Sequence, residues 1–153
     1  MQFTNAIQIL ENHNLITLFM SDCVFCKIAA KELPSYQVYE DDDFMSFLDI
    51  HPIAKGHVQL IPKKHFRWTY DVPQFGHFFE VARIVALATQ RAVNADYISF
   101  VTFGIEVEHA HIWIVPRFKG DIHEGSGINT TNRLTFRIEE FMAIRDQIVH
   151  NII

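Results

Sequence analysis

Cysteine is scarce in this chain. There are two among 153 residues, Cys23 and Cys26, and a bridge across the two residues between them would close too small a loop to staple a fold. Basic charge is also short. Thirteen Lys and Arg face eighteen Asp and Glu, for a formal charge of −5. That excludes a broad duplex-binding face, which needs a basic footprint, and leaves room for a small anionic ligand held by a few local donors. No run approaches the roughly 20 apolar residues of a membrane span. The first 26 residues carry no Lys or Arg, and Glu11, Asn12, His13 and Asn14 interrupt any apolar stretch there. No secretory leader is expected, and a cytoplasmic location follows as the expectation. Repeats and low-complexity segments are missing as well.

What is present suits one globular domain. Hydrophobic residues make up 49%, and phenylalanine occurs 14 times. Residues 1–20 read as an extension, with Phe3, Ile7 and Leu10 at helical spacing. Residues 21–153 read as the domain, and Met20, followed at once by Ser21-Asp22-Cys23, is an alternative start. Val38-Tyr39, Phe44–Leu48 and His57–Ile61 read as strands. Asp41-Asp42-Asp43 reads as a tight turn between the first two. A helix is expected from near Asp71 or Pro73 to about Val93, on a stripe of Phe75, Phe78, Ala82, Val85 and Thr89. Tyr97–Phe103 and Glu106–Pro116 read as two more strands. Thr135 to Ile152 reads as a last helix with Phe141, Ile144, Ile148 and Ile152 on one side. About five strands joined by short turns, with two main helices, predict an α+β fold on an antiparallel sheet.

Nine histidines carry most of the chemistry. Residues two apart on a strand share a face, so His109, His111 and Trp113 point one way and Ala110, Ile112 and Ile114 the other. Two imidazoles side by side suit nucleophilic chemistry, one attacking while its second ring nitrogen is held by an acceptor. The same spacing also fits two polar residues on a wet sheet face. Cys23-x-x-Cys26 is likewise open: half of a tetrahedral zinc site, a redox pair, or two unrelated thiols.

The surroundings carry a resemblance. Asp22-Cys-Val-Phe-Cys-Lys-Ile28, Lys31-Glu-Leu-Pro34, Tyr39-Glu-Asp41, Phe47-Leu-Asp-Ile50, Gly56-His-Val-Gln-Leu-Ile-Pro-Lys-Lys-His65 and His109-Ala-His-Ile-Trp-Ile-Val-Pro116 occur in the order found in the histidine triad (HIT) family. Over residues 22–117 the chain resembles the branch of bacterial HIT hydrolases and nucleoside phosphoramidases. The resemblance implies a HIT-like fold and attack by His111 on the α-phosphorus of a purine nucleotide conjugate, through a nucleotidyl-histidine intermediate. It implies a structural zinc on Cys23, Cys26, His65 and His109. It places Phe25, Phe47, Asp49 and Ile50, with Val24 and Ile28, around base and ribose, and His57 against the phosphate or the nucleophile. A homodimer is implied too.

Three positions depart from the family pattern. Trp113 stands at the third triad position, and Trp cannot serve as a base. Gly104-Ile105-Glu106 replaces a Gly-Gln-Ser or Gly-Gln-Thr loop that donates to the phosphate, and the connection to His109 is shorter. Thr102 stands where an asparagine is usual. Each bears on transition-state stabilisation. Two readings therefore stand beside the enzyme: a nucleotide-binding or regulatory protein that turns over poorly, and a zinc-stabilised interaction module.

Overall fold

The short Asx turn at Asp41 starts the sheet. Its Oδ1 accepts from the backbone N–H groups of Asp43 and Phe44 at 2.9 and 2.7 Å, closing the hairpin between β1 (Gln37–Glu40) and β2 (Phe44–Leu48). The structure is a computed structural model and describes residues 22–125 and 127–153. The helix expected around Phe3, Ile7 and Leu10 lies outside the described residues.

β3 (Val58–Pro62), β4 (Tyr97–Val101) and β5 (Ile112–Arg117) complete a five-stranded antiparallel sheet in the order β1-β2-β3-β5-β4. The chain leaves β3, crosses through a single turn at Thr69–Asp71 and a long helix, α2 (Phe75–Val93), and returns as the edge strand β4. β5 then inserts between β3 and β4. The fold is α+β.

The main core lies between one sheet face and two helices, α2 (Phe75–Val93) and α3 (Ile138–His150). Val58, Leu60, Ala110, Ile112 and Ile114 from the sheet side meet Phe78, Val85 and Ala88 of α2 and Phe141, Ile144 and Ile148 of α3. The alternation read from the sequence holds there: Ala110, Ile112 and Ile114 belong to this core. Trp113 belongs to a separate cluster with Ile53 and Ala54 on the other face.

Boundaries shifted where side chains do other work. Asp71 does not cap α2; its carboxylate accepts from Trp68 N at 3.3 Å within the preceding turn, and the helix begins at Phe75. α3 begins at Ile138 because the Glu140 carboxylate accepts from Arg137 N at 2.8 Å, setting the first turn there. A six-residue helix, α1 (Val24–Ala29), went unread; it is too short for periodicity to show. β5 starts at Ile112, so His109 and His111 sit on its lead-in. Here Ala110 N bonds Phe66 O at 2.7 Å and His109 N turns back to Val107 O.

Gly56 brings the Asp49–Gly56 loop onto α2. Its φ is +81°, and an added Cβ would lie 2.8 Å from Val93 Cγ1. Both facts demand glycine. Among the described residues, no helix is long and apolar enough to cross a membrane.

Candidate functional site

Four residues from three parts of the chain converge on one point. Cys23 caps α1, its Sγ facing Cys26 N at 3.5 Å, and Cys26 lies one turn later on that helix. His65 follows β3, and His109 precedes β5. Their ligand atoms all lie within 4.8 Å of one another. Cys23 Sγ is 3.4 Å from His109 Nδ1, and Cys26 Sγ is 3.3 Å from His65 Nδ1 and 3.5 Å from His109 Nδ1. Tetrahedral zinc with Cys and His ligands at usual bond lengths sets neighbouring ligand atoms roughly 3.3–3.8 Å apart. The donor set therefore fits such an ion. Without a cation the cluster is a poor home for a thiolate: burial, then Cys23 beside it, pushes the Cys26 thiol up to about 12. A bound metal reverses that preference.

His109 is fixed from its far side. Its Nε2 donates to Pro62 O at 2.8 Å, which leaves Nδ1 as the lone-pair nitrogen facing the cysteines. An imidazole whose second nitrogen bonds a carbonyl is the usual form of a metal-ligating histidine. The edges of the Phe25 ring and of His65 pack against it.

His111 is held differently. Its Nδ1 lies 2.6 Å from the carbonyl oxygen of His109, so Nδ1 carries the proton and Nε2 keeps its lone pair. Nε2 has no hydrogen-bond partner among the described residues. Burial is the main cause that lowers the His111 pKa below its ordinary value, opposed by the His109 carbonyl and by Asp49 and Glu106. The ring is thus neutral at neutral pH, the form that attacks electrophiles.

His111 lines a cavity of about 840 Å³, within the usual range for small-molecule sites. Phe25 and Phe47 form an aromatic wall with ring centroids 5.7 Å apart, and Phe25 also meets His111 edge-on at 5.3 Å. Val24, Ile28 and the exposed Ile50 also line it. Asp49 sits at the rim. Its Oδ1 accepts from His51 N at 2.7 Å, and its Oδ2 accepts from Gln59 Nε2 at 2.8 Å. The carboxylate is both a loop cap and part of the cavity wall, with lone pairs to spare.

His57 is placed otherwise. It is fully buried and does not line the cavity. Its Nδ1 lies 3.4 Å from Ile53 N and 3.5 Å from Asp49 Oδ2. Desolvation pushes its pKa down to about 4, against the pull of Asp49. Its ring packs edge-on to Trp113 at 4.9 Å, so it supports the floor beneath Trp113.

Trp113 itself is 4% exposed and lines the cavity beside His111. Glu106, at the mouth, has a largely exposed side chain with Oε2 3.8 Å from Arg133. Gln59, Arg133 and His123 carry no sequence signal that ties them to the site. Gln59 orients Asp49. Arg133 lies in a stretch with no periodic signal, and His123 anchors that stretch from a buried position. Burial of a histidine does not show in its neighbours.

The HIT domain family model matches residues 30–120. An uncharacterized HIT-like protein of Borreliella burgdorferi is 38% identical over 142 residues, covering 87% of this chain and all of that one. An adenosine 5′-monophosphoramidase of Saccharomyces cerevisiae is 33% identical over 105 residues, 62% of each chain. The crystal structure of a zinc-bound histidine triad family protein from Mycobacterium smegmatis superposes with a TM-score of 0.70 at 28% identity, covering 86% of this chain and 96% of that one. With the sheet order, the paired histidines before β5 and these matches agreeing, the chain belongs to the HIT domain family.

Proposed function

We propose that this protein is a nucleotide hydrolase or nucleotidyl transferase whose nucleophile is His111. The observation that carries the reading is the hydrogen bond from His111 Nδ1 to the His109 carbonyl. It commits Nε2 as the free lone pair on a neutral ring at the cavity wall. The yeast relative's phosphoramidase name supports the same chemistry.

The step balances as two displacements. The Nε2 lone pair forms a bond to the α-phosphorus, and the bond to the leaving group breaks, its electron pair leaving with that group, which takes a proton from solvent. Water or another acceptor then attacks phosphorus and gives up its proton to solvent. The P–N bond breaks, the pair returns to Nε2, and a nucleoside monophosphate or its new ester departs. Splitting one hard displacement into two lowers each barrier. Phe25 and Phe47 grip the base, Ile50 covers it, and Asp49 accepts from the ribose hydroxyls. His57 acts through Trp113 and Asp49 as a positioning residue.

Cys23, Cys26, His65 and His109 would hold a structural zinc. Held by four protein side chains, such an ion would supply stability and orientation rather than bind substrate. Its bearing on catalysis runs through His109, whose carbonyl orients His111.

A second reading, a nucleotide-binding protein with weak turnover, is favoured by one observation: Trp113 is buried where a polar triad partner would stand. One experiment separates them. The protein is incubated with an adenosine phosphoramidate and its intact mass measured, beside His111→Ala. An adenylyl adduct that disappears in His111→Ala supports the enzyme. An adduct that persists removes His111 as nucleophile, and binding with neither adduct nor turnover supports the second reading.

A further inference from the structure

A nucleotide brings negative charge into a cavity whose walls already hold Asp49 and Glu106. Among the described residues, Arg133 is the one Lys or Arg that lines it. Arg67 is engaged elsewhere, stacked on Trp68 and bonded to the Gly104 carbonyl beside a smaller pocket. Arg133 lies beyond residues 30–120, outside the segment that defines the family.

The chain brings Arg133 there by pinning the stretch after β5 across the Asp49–Gly56 loop. Arg117 and Asp121, both nearly buried, form a two-pronged ion pair at 2.8 and 3.1 Å. His123 Nδ1 accepts from Asn129 N at 2.9 Å, and its Nε2 donates to Ile53 O at 3.2 Å. Leu134 N then bonds Pro52 O at 2.7 Å. Between these anchors the guanidinium of Arg133 lies over the Trp113 ring, 5.4 Å from its centroid, and one nitrogen donates to His51 O at 2.9 Å.

A guanidinium has five N–H donors. Besides the bond to His51 O, the second contact here is a loose one at 3.8 Å to the exposed Glu106 carboxylate. Such an exposed pair is weak and exchangeable. The remaining donors suit the oxygens of a phosphate, which Arg binds as a fork. The flat face of Trp113 explains the substitution at the third triad position: an aromatic ring supports a cation, which a histidine there would repel when protonated.

We propose that Arg133, seated on Trp113, is the phosphate-binding residue of this site, and that Glu106 holds it until an anionic ligand displaces the carboxylate. This rests on the nucleotide reading above. Calorimetric titration with adenosine and with adenosine 5′-monophosphate tests it on the wild-type protein, Arg133→Gln, Arg133→Lys and Glu106→Gln. The expected result is that Arg133→Gln weakens the monophosphate on the order of 10- to 100-fold, the worth of a charge-assisted hydrogen bond, and leaves adenosine unchanged. Arg133→Lys keeps the charge without the fork and falls between. Glu106→Gln binds the monophosphate more tightly than wild type. An Arg133→Gln protein that keeps wild-type affinity for both ligands, or loses both equally, overturns the proposal while leaving the nucleotide reading intact. A wild-type protein that binds neither ligand overturns the nucleotide reading itself.

Discussion

The carbonyl oxygen of His109 lies 2.6 Å from Nδ1 of His111, so one residue faces the Cys23–Cys26–His65 cluster through its ring and sets the tautomer of its neighbour through its backbone. The Cys/His cluster and the proposed nucleophile are separate sites joined by two residues of chain. Removing a ligand from the first should therefore disturb the second. Cys23→Ser is expected to lose most of its zinc and to lower turnover on the order of 10-fold or more, the usual cost of loosening a supporting shell, although His111 is intact. Elemental analysis with turnover on the same sample checks this. Undiminished zinc in Cys23→Ser would remove that cysteine from the ligand set.

The acid limb of activity should report His111. Burial holds its pKa below the ordinary 6.5, and in the proposed mechanism it is the neutral ring that attacks. Activity is then fully present above 6.5 and is lost only as pH falls through the lower value in the folded protein. The limb of kcat/KM for an adenosine phosphoramidate is expected below pH 6.5. A limb at or above that value would show a ring far more solvated than its contacts imply.

Much of this site was legible because strand alternation and local spacing carry it. Cys23 and Cys26 sit one helical turn apart, and His109 and His111 lie two residues apart just ahead of β5, one ring toward the cysteines and the other toward the cavity. The motif order joined His65 to them across a gap that periodicity alone does not bridge. The five strands and both main helices were readable from alternation and stripes. What escaped has a physical reason in each case. α1 is under two turns, too short for a stripe. The lead-in to β5 is held outside the ladder by a tight turn, His109 N to Val107 O, and by Ala110 N on the distant Phe66 O, contacts that its own pattern does not show. Arg133 acts from a loop laid across another loop, held by His123 and Leu134, and nothing local marks such a crossing.

Trp113 packs between His57, at 4.9 Å, and Phe103, at 5.4 Å, with almost no exposure. Trp113→His places a histidine where the resemblance to the family expects one, but removes much of that volume and the face beneath Arg133. Truncating a buried large aromatic costs about 3–5 kcal/mol when cut to alanine, so the histidine variant is expected to lose roughly 2–3 kcal/mol on the same scale, without faster turnover. Urea unfolding and initial rates measure the two effects. A Trp113→His protein as stable as wild type and faster would show the site to be an ordinary triad with a poor third residue.

His57 should make the protein sensitive to mild acid through stability. In the unfolded chain its imidazole takes a proton near 6.5, whereas in the fold desolvation delays this to about 4, despite Asp49 beside it. Between those values the unfolded state binds more protons, so stability rises with pH across the window. The contribution is fully present above 6.5 and falls away as pH drops toward 4, by on the order of 3 kcal/mol for a shift of that size. His57→Gln keeps an acceptor for Ile53 N and cannot be protonated. It should be less stable than wild type at pH 7.5, because its fit against Trp113 is poorer, yet show a shallower decline from pH 6.5 to 4.5. Denaturant midpoints of both proteins across that range check the slope. Acid release of a bound metal would affect both proteins alike, so the difference in slope isolates His57. Parallel curves would mean that its ring is protonated in the fold as readily as in the unfolded chain.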